Sequence, residues 1–465
     1  MSFKINRPFR FRTAYPAVNT LITVLFSVYV ITWYLELGKR IAFLGSIRFE
    51  WILGLVLFVL VLITGGFNLL SDDNRLFYAI SFLYLTVIIN VFHTQDFDNS
   101  YEIFVDRFVK FSFMFLFIHA FVKSPFQLKI FIAVFLLACM KIGQEGFVGK
   151  ITGSMVWENQ GVMRLNGAPG TLYGHPNSLS GNALGTLPFI YFLFPIVSKT
   201  YKIAITVLLI FSINIIIFTG SRTGYVGFTI FVIFLIWKSK RRWKALLVAA
   251  CIGIIAVPMI PKDYIERFMT IATQKDKEGG SINARKEINR DALEIFKEYP
   301  FGVGVFAFPK VRIKMFGRFQ DVHNMYLEIM TNLGIQGGIA FILFIYYIYL
   351  YINYIQSRVK TDIGKIQDLI ANIKENLSMD EIVINQYLED LKFMDAICNA
   401  IKGFVLIRLV LGVFGMDFYE IYWWFASGLA LALYKMSAVN AQRTKEIFNH
   451  CQGDMNGHLA SSFSV

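Results

Sequence analysis

Long apolar segments separated by short polar ones recur along the whole 465-residue chain. A helix that crosses the hydrocarbon core of a bilayer needs about 20 apolar residues. Only 17% of the residues are charged, against roughly 25% in soluble domains. We therefore predict an all-α, polytopic integral membrane protein with a single membrane domain. The apolar segments predict about 12 transmembrane helices, at residues 17–35, 51–70, 76–93, 108–122, 126–142, 177–197, 201–219, 224–238, 243–260, 326–353, 399–415 and 420–436.

The distribution of Lys and Arg predicts the orientation of these helices. The net charge of +13 could suggest a nucleic-acid partner, but the cations cluster in short runs beside the apolar segments, as in the cytoplasmic loops of membrane proteins. The strongest run is KSKRRWK at 238–244. We expect both termini to be cytoplasmic. We also expect the protein to contact membrane lipids and not nucleic acid. The first apolar segment is predicted to be a membrane helix rather than a removed signal peptide. The first outer loop is an exception, since it carries Lys39, Arg40 and Arg48.

The polar segments define the loops. On the predicted outer side lie 143–176, the short turn 220–224, the large loop 261–325 and 415–420. On the cytoplasmic side, residues 359–397 show apolar residues at three- and four-residue spacing, which predicts an insert of one or two amphipathic helices. This insert could be a solvated hairpin or a docking surface for a partner. The four cysteines are not at metal-ligand spacing, so we expect no disulfide and no metal site.

Arg285 occupies an unusual position in the large outer loop. A helix is predicted to begin near Ser281, a plausible N-cap, and to end before Pro300. On a helical wheel Arg285 lies within the apolar stripe, whereas Arg290 lies on the opposite face. The stripe consists of Ile288, Ala292, Ile295, Phe296 and Tyr299. A buried arginine is costly unless it meets an anion, and its planar fork suits phosphate oxygens. A structural salt bridge or a snorkelling side chain is the alternative.

Two further residues on the predicted outer side are candidates for a catalytic or binding role. Arg222 lies in FTGSRTGYVGF, a tight turn whose Gly220 and Gly224 allow the backbone to approach closely. A cation there opposes the charge bias of the other loops, which favours a functional role over pairing with lipid headgroups. His323 stands between the large outer loop and the segment 326–353 and can act as a base or a hydrogen-bond donor. Its alternative role is that of a satisfied histidine at the membrane interface.

The segment RLNGAPGTLYGHPN, residues 164–177, is rich in Gly and Pro. Taken alone it predicts a re-entrant or surface loop, with His175 and Asn177 capping the next helix. Two outer arginines and one outer histidine, without a metal cluster or a nucleotide-binding loop, suit a substrate that carries its own leaving group. A lipid-linked diphosphate glycan is such a substrate. Arginines would hold the diphosphate, and the histidine would orient or deprotonate the attacking hydroxyl.

Three motifs resemble the O-antigen ligase and polymerase superfamily of bacterial envelope polysaccharide glycosyltransferases. They are GSRTG, the arginine followed by PFGVG, and HNMYLEIMTNLGIQG, within residues 167–344. The resemblance implies a GT-C-like membrane fold in the bacterial inner membrane, with the site facing the periplasm. It also implies en bloc transfer of a glycan from undecaprenyl diphosphate, independent of metals and cofactors and with inversion at the transferred sugar.

The resemblance assigns roles residue by residue. It implies that His323, Arg285 and Arg222 are catalytic, and that Arg222 and Arg285 also bind substrate. Asn177 corresponds more weakly to an asparagine at the entrance of a helix, and we place it with Arg164 among the substrate-binding candidates. The ligase type, with lipid A–core as acceptor, is our first interpretation. A polymerase that joins lipid-linked repeat units into a growing glycan is a close alternative.

A secondary transporter is an alternative from a different class. Twelve helices with both termini inside would suit one, and transporters place ionisable residues at the middle of the membrane. Asp106, Arg107, Lys110 and Arg408 are the residues that would serve this role. If they converge at mid-depth while Arg222, Arg285 and His323 are scattered, the enzyme hypothesis fails.

Overall fold

Helices dominate the computed structural model, which describes residues 11–66, 73–159, 162–256, 260–273, 281–372 and 380–462. They account for 79% of the structure. The predicted all-α, membrane-type architecture is therefore confirmed at this level, while the number of crossings and the GT-C-like arrangement stay predictions.

The first half of the chain contains short and long helices and a small hairpin. Its elements are α1 (Thr20–Leu35), α2 (Leu37–Arg40), α3 (Ala42–Ser46), α4 (Phe49–Ile63), α5 (Arg75–Phe92), α6 (Phe97–Ile103), a π-helical segment (Phe104–Val109), α7 (Lys110–Phe121), α8 (Pro125–Thr152), β1 (Val156–Asn159), β2 (Val162–Leu165), α9 (Pro176–Leu193) and α10 (Lys199–Phe218).

The second half contains the outer-loop helices and three long helices. Its elements are α11 (Arg222–Lys238), α12 (Arg242–Ala256), α13 (Lys262–Thr273), α14 (Ser281–Glu298), α15 (Phe308–Phe316), α16 (Met325–Asn372), α17 (Asp380–Gly412) and α18 (Ile421–Ser462).

Each of the twelve predicted apolar segments overlaps a helix. Within the described residues, four helices are long and apolar enough to cross a bilayer, namely α5, α8, α10 and the Met325–Ala371 part of α16. Two shorter helices, α1 and α4, are also apolar. Length and hydropathy thus support a membrane protein without fixing how many times the chain crosses.

The predicted loop 143–176 and the predicted helical insert 359–397 are both continuous with neighbouring helices. Helix α8 continues to Thr152, and the antiparallel pair β1 and β2 follows it, so much of 143–176 is regular structure. The predicted insert 359–397 is also not a separate element, because α16 runs on to Asn372 and α17 begins at Asp380. Residues 373–379 lie outside the described residues. The amphipathic pattern of the insert 359–397 therefore belongs to the end of α16 and the beginning of α17, each of which buries one face and exposes the other.

Two of the three cations of the predicted first outer loop, Lys39 and Arg40, are paired with carboxylates. Nη1 of Arg40 lies 2.7 Å from Oε2 of Glu145, and Nζ of Lys39 lies 3.0 Å from Oε1 of Glu36. Glu145 belongs to the predicted outer segment 143–176. This pairing offsets the local excess of positive charge that made the loop an exception to the charge rule.

The N-terminal arm lies against the C-terminal helix. The hydroxyl and amide of Thr13 both donate to the carboxylate of Glu446 on α18. The guanidinium of Arg443 lies 4.1 Å from the centre of the Tyr15 ring, which is a cation–π geometry. The two ends of the chain are therefore held together by residues 12–15 and α18.

Helix α16 is broken near its start. Gly334 has φ +71° and ψ −166°, which is not helical and which favours glycine. The break exposes carbonyls that an unbroken helix would use, and the turn after α14 binds them. The amides of Val303 and Gly304 donate to the carbonyls of Thr331 (2.9 Å) and Asn332 (3.0 Å). The PFGVG turn therefore binds the backbone of α16 next to the NLGxxG sequence, and the two motifs stabilise each other.

Candidate active site

His323 lies in the short connection between α15 and α16, directly before Asn324. The side chain of Asn324 caps α16 by accepting from the amides of Tyr326 (3.0 Å) and Leu327 (3.2 Å). The side chain of His323 is exposed. This position leaves an accessible imidazole at the polar end of the long helix α16.

Helix α14 presents its predicted apolar stripe inward. Ile288, Ala292 and Ile295 are at most 1% exposed and form a small core with the turn and α15. Arg285 is partly buried, whereas Arg290 on the other face is exposed. The helical-wheel prediction for these side chains therefore agrees with the structure.

Arg285 and His323 are electrostatic neighbours. Although its side chain is exposed to solvent, neighbouring protein atoms partly desolvate the imidazole and lower the pKa of His323, and the positive charge of Arg285 lowers it further. A nearby positive charge disfavours the protonated imidazolium. A histidine with a lowered pKa is neutral at neutral pH, so it can accept a proton.

His175 extends this group, although the sequence indicated only a capping role for it. Its Nδ1 accepts from the amide of Asn177 (3.2 Å), which confirms the cap. Its pKa is lowered by burial first, then by the charges of Arg164 and His323. His323 thus contributes to the electrostatic surroundings of His175, which sequence spacing could not indicate because 147 residues lie between them.

Arg164 is not in a loop, as its Gly- and Pro-rich surroundings had suggested, but on strand β2. Its side chain is 1% exposed. Nε donates to the carbonyl of Thr219 (2.7 Å), and Nη2 donates to Oδ1 of Asn177 (3.0 Å). Arg164 therefore joins the hairpin, the start of α9 and the turn before α11.

Asn177 also receives a bond from the turn that carries Arg222. The hydroxyl of Ser221 donates to Oδ1 of Asn177 (2.9 Å) and accepts from the amide of Gly224 (3.1 Å), so Ser221 caps α11. A Cβ atom at Gly224 would lie 2.1 Å from Oγ of Ser180 on α9. The close approach predicted for this turn is therefore present, and it fixes the partly buried Arg222 as the first residue of α11.

The family model described as O-antigen ligase matches residues 207–342, and these residues contain Arg222, Arg285 and His323. Residues 207–342 belong to the O-antigen ligase family. An uncharacterized protein of Haemophilus influenzae is 29% identical over 187 residues, which cover 35% of this chain and 47% of that protein. The chain thus spans about half the length of this relative.

The O-antigen ligase domain contains a buried ion pair that the sequence analysis missed. Asp291 on α14 and Arg312 on α15 are 3% and 2% exposed, and Nε of Arg312 donates to Oδ2 of Asp291 (2.8 Å). Nη2 of Arg318 donates to the other carboxylate oxygen (3.2 Å). On the helical wheel Asp291 lies about 60° from Ile288, as far as Arg285 does on the other side. The argument that singled out Arg285 would therefore have found Asp291 as well.

A group of carboxyls lies beneath the polar end of α16. Glu328 is 1% exposed. Asp321, two residues before His323, has its pKa raised by burial to about 6, with the charge of Arg107 opposing that shift. The amide of Val322 donates to Oδ1 of Asp321 (2.8 Å). A carboxyl with a pKa of about 6 is mostly ionised at pH 7 and becomes largely neutral only below pH 6, so Asp321 changes its charge in weakly acidic solution.

The residues that would serve a transporter have separate partners. Nη1 of Arg107 lies 3.5 Å from Oε1 of Glu420, whereas Nζ of Lys110 donates to Oε2 of Glu50 (2.8 Å). Asp106 is exposed. These three side chains therefore do not converge on one another.

Arg408 is buried beside α9. Nη2 donates to the carbonyl of Gly181 (3.0 Å), Nη1 lies 3.8 Å from Oδ2 of Asp417, and the guanidinium stacks 3.2 Å from the centre of the Tyr422 ring. Asp417 belongs to the predicted outer turn. This arrangement is a structural anchor at the end of α17 rather than the mid-depth cluster expected of a transporter.

Within the described residues, no group of three or more His, Cys, Asp and Glu side chains is arranged to hold a metal ion.

Proposed function

We propose that this protein is a membrane glycosyltransferase of the O-antigen ligase type. It moves a glycan en bloc from undecaprenyl diphosphate to a hydroxyl of lipid A–core at the periplasmic face of the inner membrane. The observation that carries the proposal is the match of residues 207–342 to the O-antigen ligase family, because Arg222, Arg285 and His323 all lie within this range.

Two arginines suit the diphosphate. Arg285 is turned inward on α14, and Arg222 begins α11, where the positive end of the helix dipole adds to its charge. Charge-assisted hydrogen bonds to phosphate oxygens strengthen as the leaving group gains charge. The arginines thus bind the donor and stabilise the diphosphate as it departs.

Arg164 and Asn177 take a positioning role in this proposal. The guanidinium of Arg164 is 1% exposed and is bonded to Asn177 and Thr219. Asn177 in turn holds Ser221, the residue before Arg222. This chain of bonds fixes the direction from which Arg222 reaches the diphosphate.

The neutral imidazole of His323 serves the acceptor. The acceptor hydroxyl oxygen attacks the anomeric carbon of the glycan, and the bond from that carbon to the diphosphate oxygen breaks with its electron pair on the diphosphate. His323 takes the hydroxyl proton. Attack opposite to the leaving diphosphate inverts the anomeric centre, and the reaction is in atom and charge balance without a metal or a cofactor.

Deletion of the gene followed by electrophoresis of the surface glycan tests the proposal. We expect loss of long chains on lipid A together with retention of lipid-linked polymer. Single repeat units left on lipid A would indicate the polymerase alternative instead. A glycan profile identical to that of the parent strain would contradict both. Complementation with His323→Gln should fail, whereas complementation with the exposed-face variant Arg290→Ala should restore the profile.

A further inference from the structure

A groove of about 870 Å³ lies between α11 and α16, with α17 beneath it. Val405 of α17 is 9% exposed, whereas Trp237 of α11 and Ile342 of α16 are 65% and 67% exposed. The helices α11 and α16 therefore form the two rims, and α17 forms the floor. The lining is mostly apolar side chains, so the groove is suited to hydrocarbon chains.

The two ends of the groove differ in character. At one end lies Tyr326, three residues after His323, whose hydroxyl donates to the carbonyl of Leu409 (2.8 Å). At the other end lie Lys238, Arg242 and Lys402. Helix α11 has 17 residues, so its basic end is about 25 Å from its start at Arg222. The charged end thus lies across the membrane from the candidate active site.

The basic end carries more cations than its partners neutralise. Nζ of Lys238 donates to Oδ1 of Asn399 (3.1 Å), and Lys402 donates to Oε1 of Gln356. The amide group of Gln356 in turn donates to the carboxylate of Asp395 (2.9 Å), so one negative charge belongs to this network. Among the described residues that line the groove there is no Asp or Glu. The mouth of the groove is therefore positively charged.

We propose that the groove binds one anionic phospholipid from the leaflet at its basic end. The phosphate lies between Lys238, Arg242 and Lys402, and the acyl chains extend along the groove toward Tyr326. The general excess of cations in cytoplasmic loops would account for Lys240 and Arg241 in the same run. It would not require Lys402, which lies within α17, to face the groove.

A lipid in this position would set the spacing of two helices. Arg222 begins α11, and His323 immediately precedes the cap of α16. Whatever fills the groove between these helices holds them at a fixed separation along their length. The bound phospholipid is therefore a structural ligand that supports the geometry of the polar end, and it is independent of the transferase proposal.

Native mass spectrometry of the detergent-purified protein tests the site. We expect the wild-type protein to retain one phosphatidylglycerol after delipidation and to rebind it in preference to phosphatidylcholine. The triple variant Lys238→Gln/Arg242→Gln/Lys402→Gln should bind phosphatidylglycerol on the order of 100-fold more weakly, because each cation near a membrane surface contributes about five-fold to the binding of an anionic lipid. The single variant Lys402→Gln should lose about five-fold, which keeps the test valid if the triple variant does not fold.

The same basic run supplies a matched control. Lys240→Gln/Arg241→Gln removes two cations that do not line the groove, so the retained lipid should be unchanged. Loss equal to that of the triple variant would overturn the proposal in favour of nonspecific surface charge. Retention of a polyprenyl phosphate in place of phosphatidylglycerol would overturn it in favour of a chain that enters from the Tyr326 end.

A steric pair checks the groove itself. Ile342→Trp places a large ring in the groove and should abolish retention of the phospholipid. Ile339→Trp alters the same helix at a position that is 49% exposed but does not line the groove, and it should retain the lipid. Equal retention in both variants would contradict a site in the groove.

Discussion

The backbone amide of Val303 donates to the carbonyl of Thr331 across 2.9 Å, and this bond joins the large outer loop to the broken helix α16. A helix that breaks inside an apolar environment leaves carbonyls that must find donors. Here the turn that follows α14 supplies them. The same bond therefore stabilises the break and holds α14, with Arg285, beside the residues that follow His323.

Gly334→Ala should destabilise the protein, since φ of +71° disfavours a side chain and a Cβ atom would lie 2.3 Å from the carbonyl carbon of Phe301. We expect a loss of about 1–3 kcal/mol in the free energy of unfolding, measured by SDS titration in detergent micelles. Gly364→Ala is the matched control on the same helix, because its Cβ atom would meet nothing within 4 Å. The control should be neutral or stabilising by about 0.5–1 kcal/mol, and an equal loss in both variants would contradict this argument.

Arg285→Ala should lower transferase activity by at least about 100-fold, the usual effect of removing one donor to a developing anion. Arg290→Ala lies on the exposed face of the same helix and should change activity by less than about two-fold. Transfer from a purified lipid-linked glycan measures both. Similar losses in the two variants would refute the helical-face argument.

Asn177→Ala should reduce both stability and activity. It removes the oxygen that accepts from Arg164 and Ser221, and such a loss at a buried site costs about 1–3 kcal/mol. Because Ser221 precedes Arg222, activity should fall further than the change in unfolding accounts for. Asn177→Asp keeps an acceptor for both donors, so it should retain most of the stability, and failure of that rescue would count against the positioning role.

Activity that depends on neutral His323 should fall as the pH decreases. Partial desolvation and the charge of Arg285 lower the pKa of this histidine below its ordinary 6.5, so activity should begin to fall only below pH 6.5 as the solution is acidified. Arg285→Gln removes the charge, so the residual activity of this variant should begin to fall at a pH closer to 6.5. Arg285→Lys keeps a charge and should leave this pH unchanged, and identical pH–rate profiles in all three proteins would contradict the coupling.

Asp321→Asn should stabilise the protein at alkaline pH. Burial raises the pKa of Asp321 from 3.8 to about 6, so the folded state binds this proton more tightly than the unfolded state does. That contribution is fully present below pH 3.8 and is lost as the pH rises through about 6. The variant should therefore gain about 1–3 kcal/mol at pH 8 and nothing near pH 4. Asp98→Asn, at an exposed position, is the matched control, and an equal gain at pH 8 in both variants would contradict the role of burial.

Much of the helical framework could be predicted from the sequence because apolar periodicity reports directly on local burial. The inward stripe of α14 and the outward face of Arg290 follow from a 100° wheel alone. The continuation of α8 to Thr152 and of α16 to Asn372 was not predicted, because a helix extends into polar sequence wherever its packed part has already met the cost of nucleation.

The candidate site divides in the same way. Arg222, Arg285 and His323 could be selected individually by residue type and place in the chain, and their catalytic roles stay predictions. The burial of Arg164, the electrostatic effect of His323 on His175 and the pair of Asp291 with Arg312 could not be predicted, because each depends on how distant parts of the chain pack together.

The sequence by itself determined that this chain forms apolar helices and a polar segment with an arginine-bearing amphipathic helix, since those properties depend on residues within one or two turns of each other. Only the tertiary structure decided that Asn177 joins Arg164 to the turn of Arg222, and that Gly334 meets the PFGVG turn. Hydrogen bonds of this kind link residues that are distant in the chain, and their partners exist only after the helices have packed.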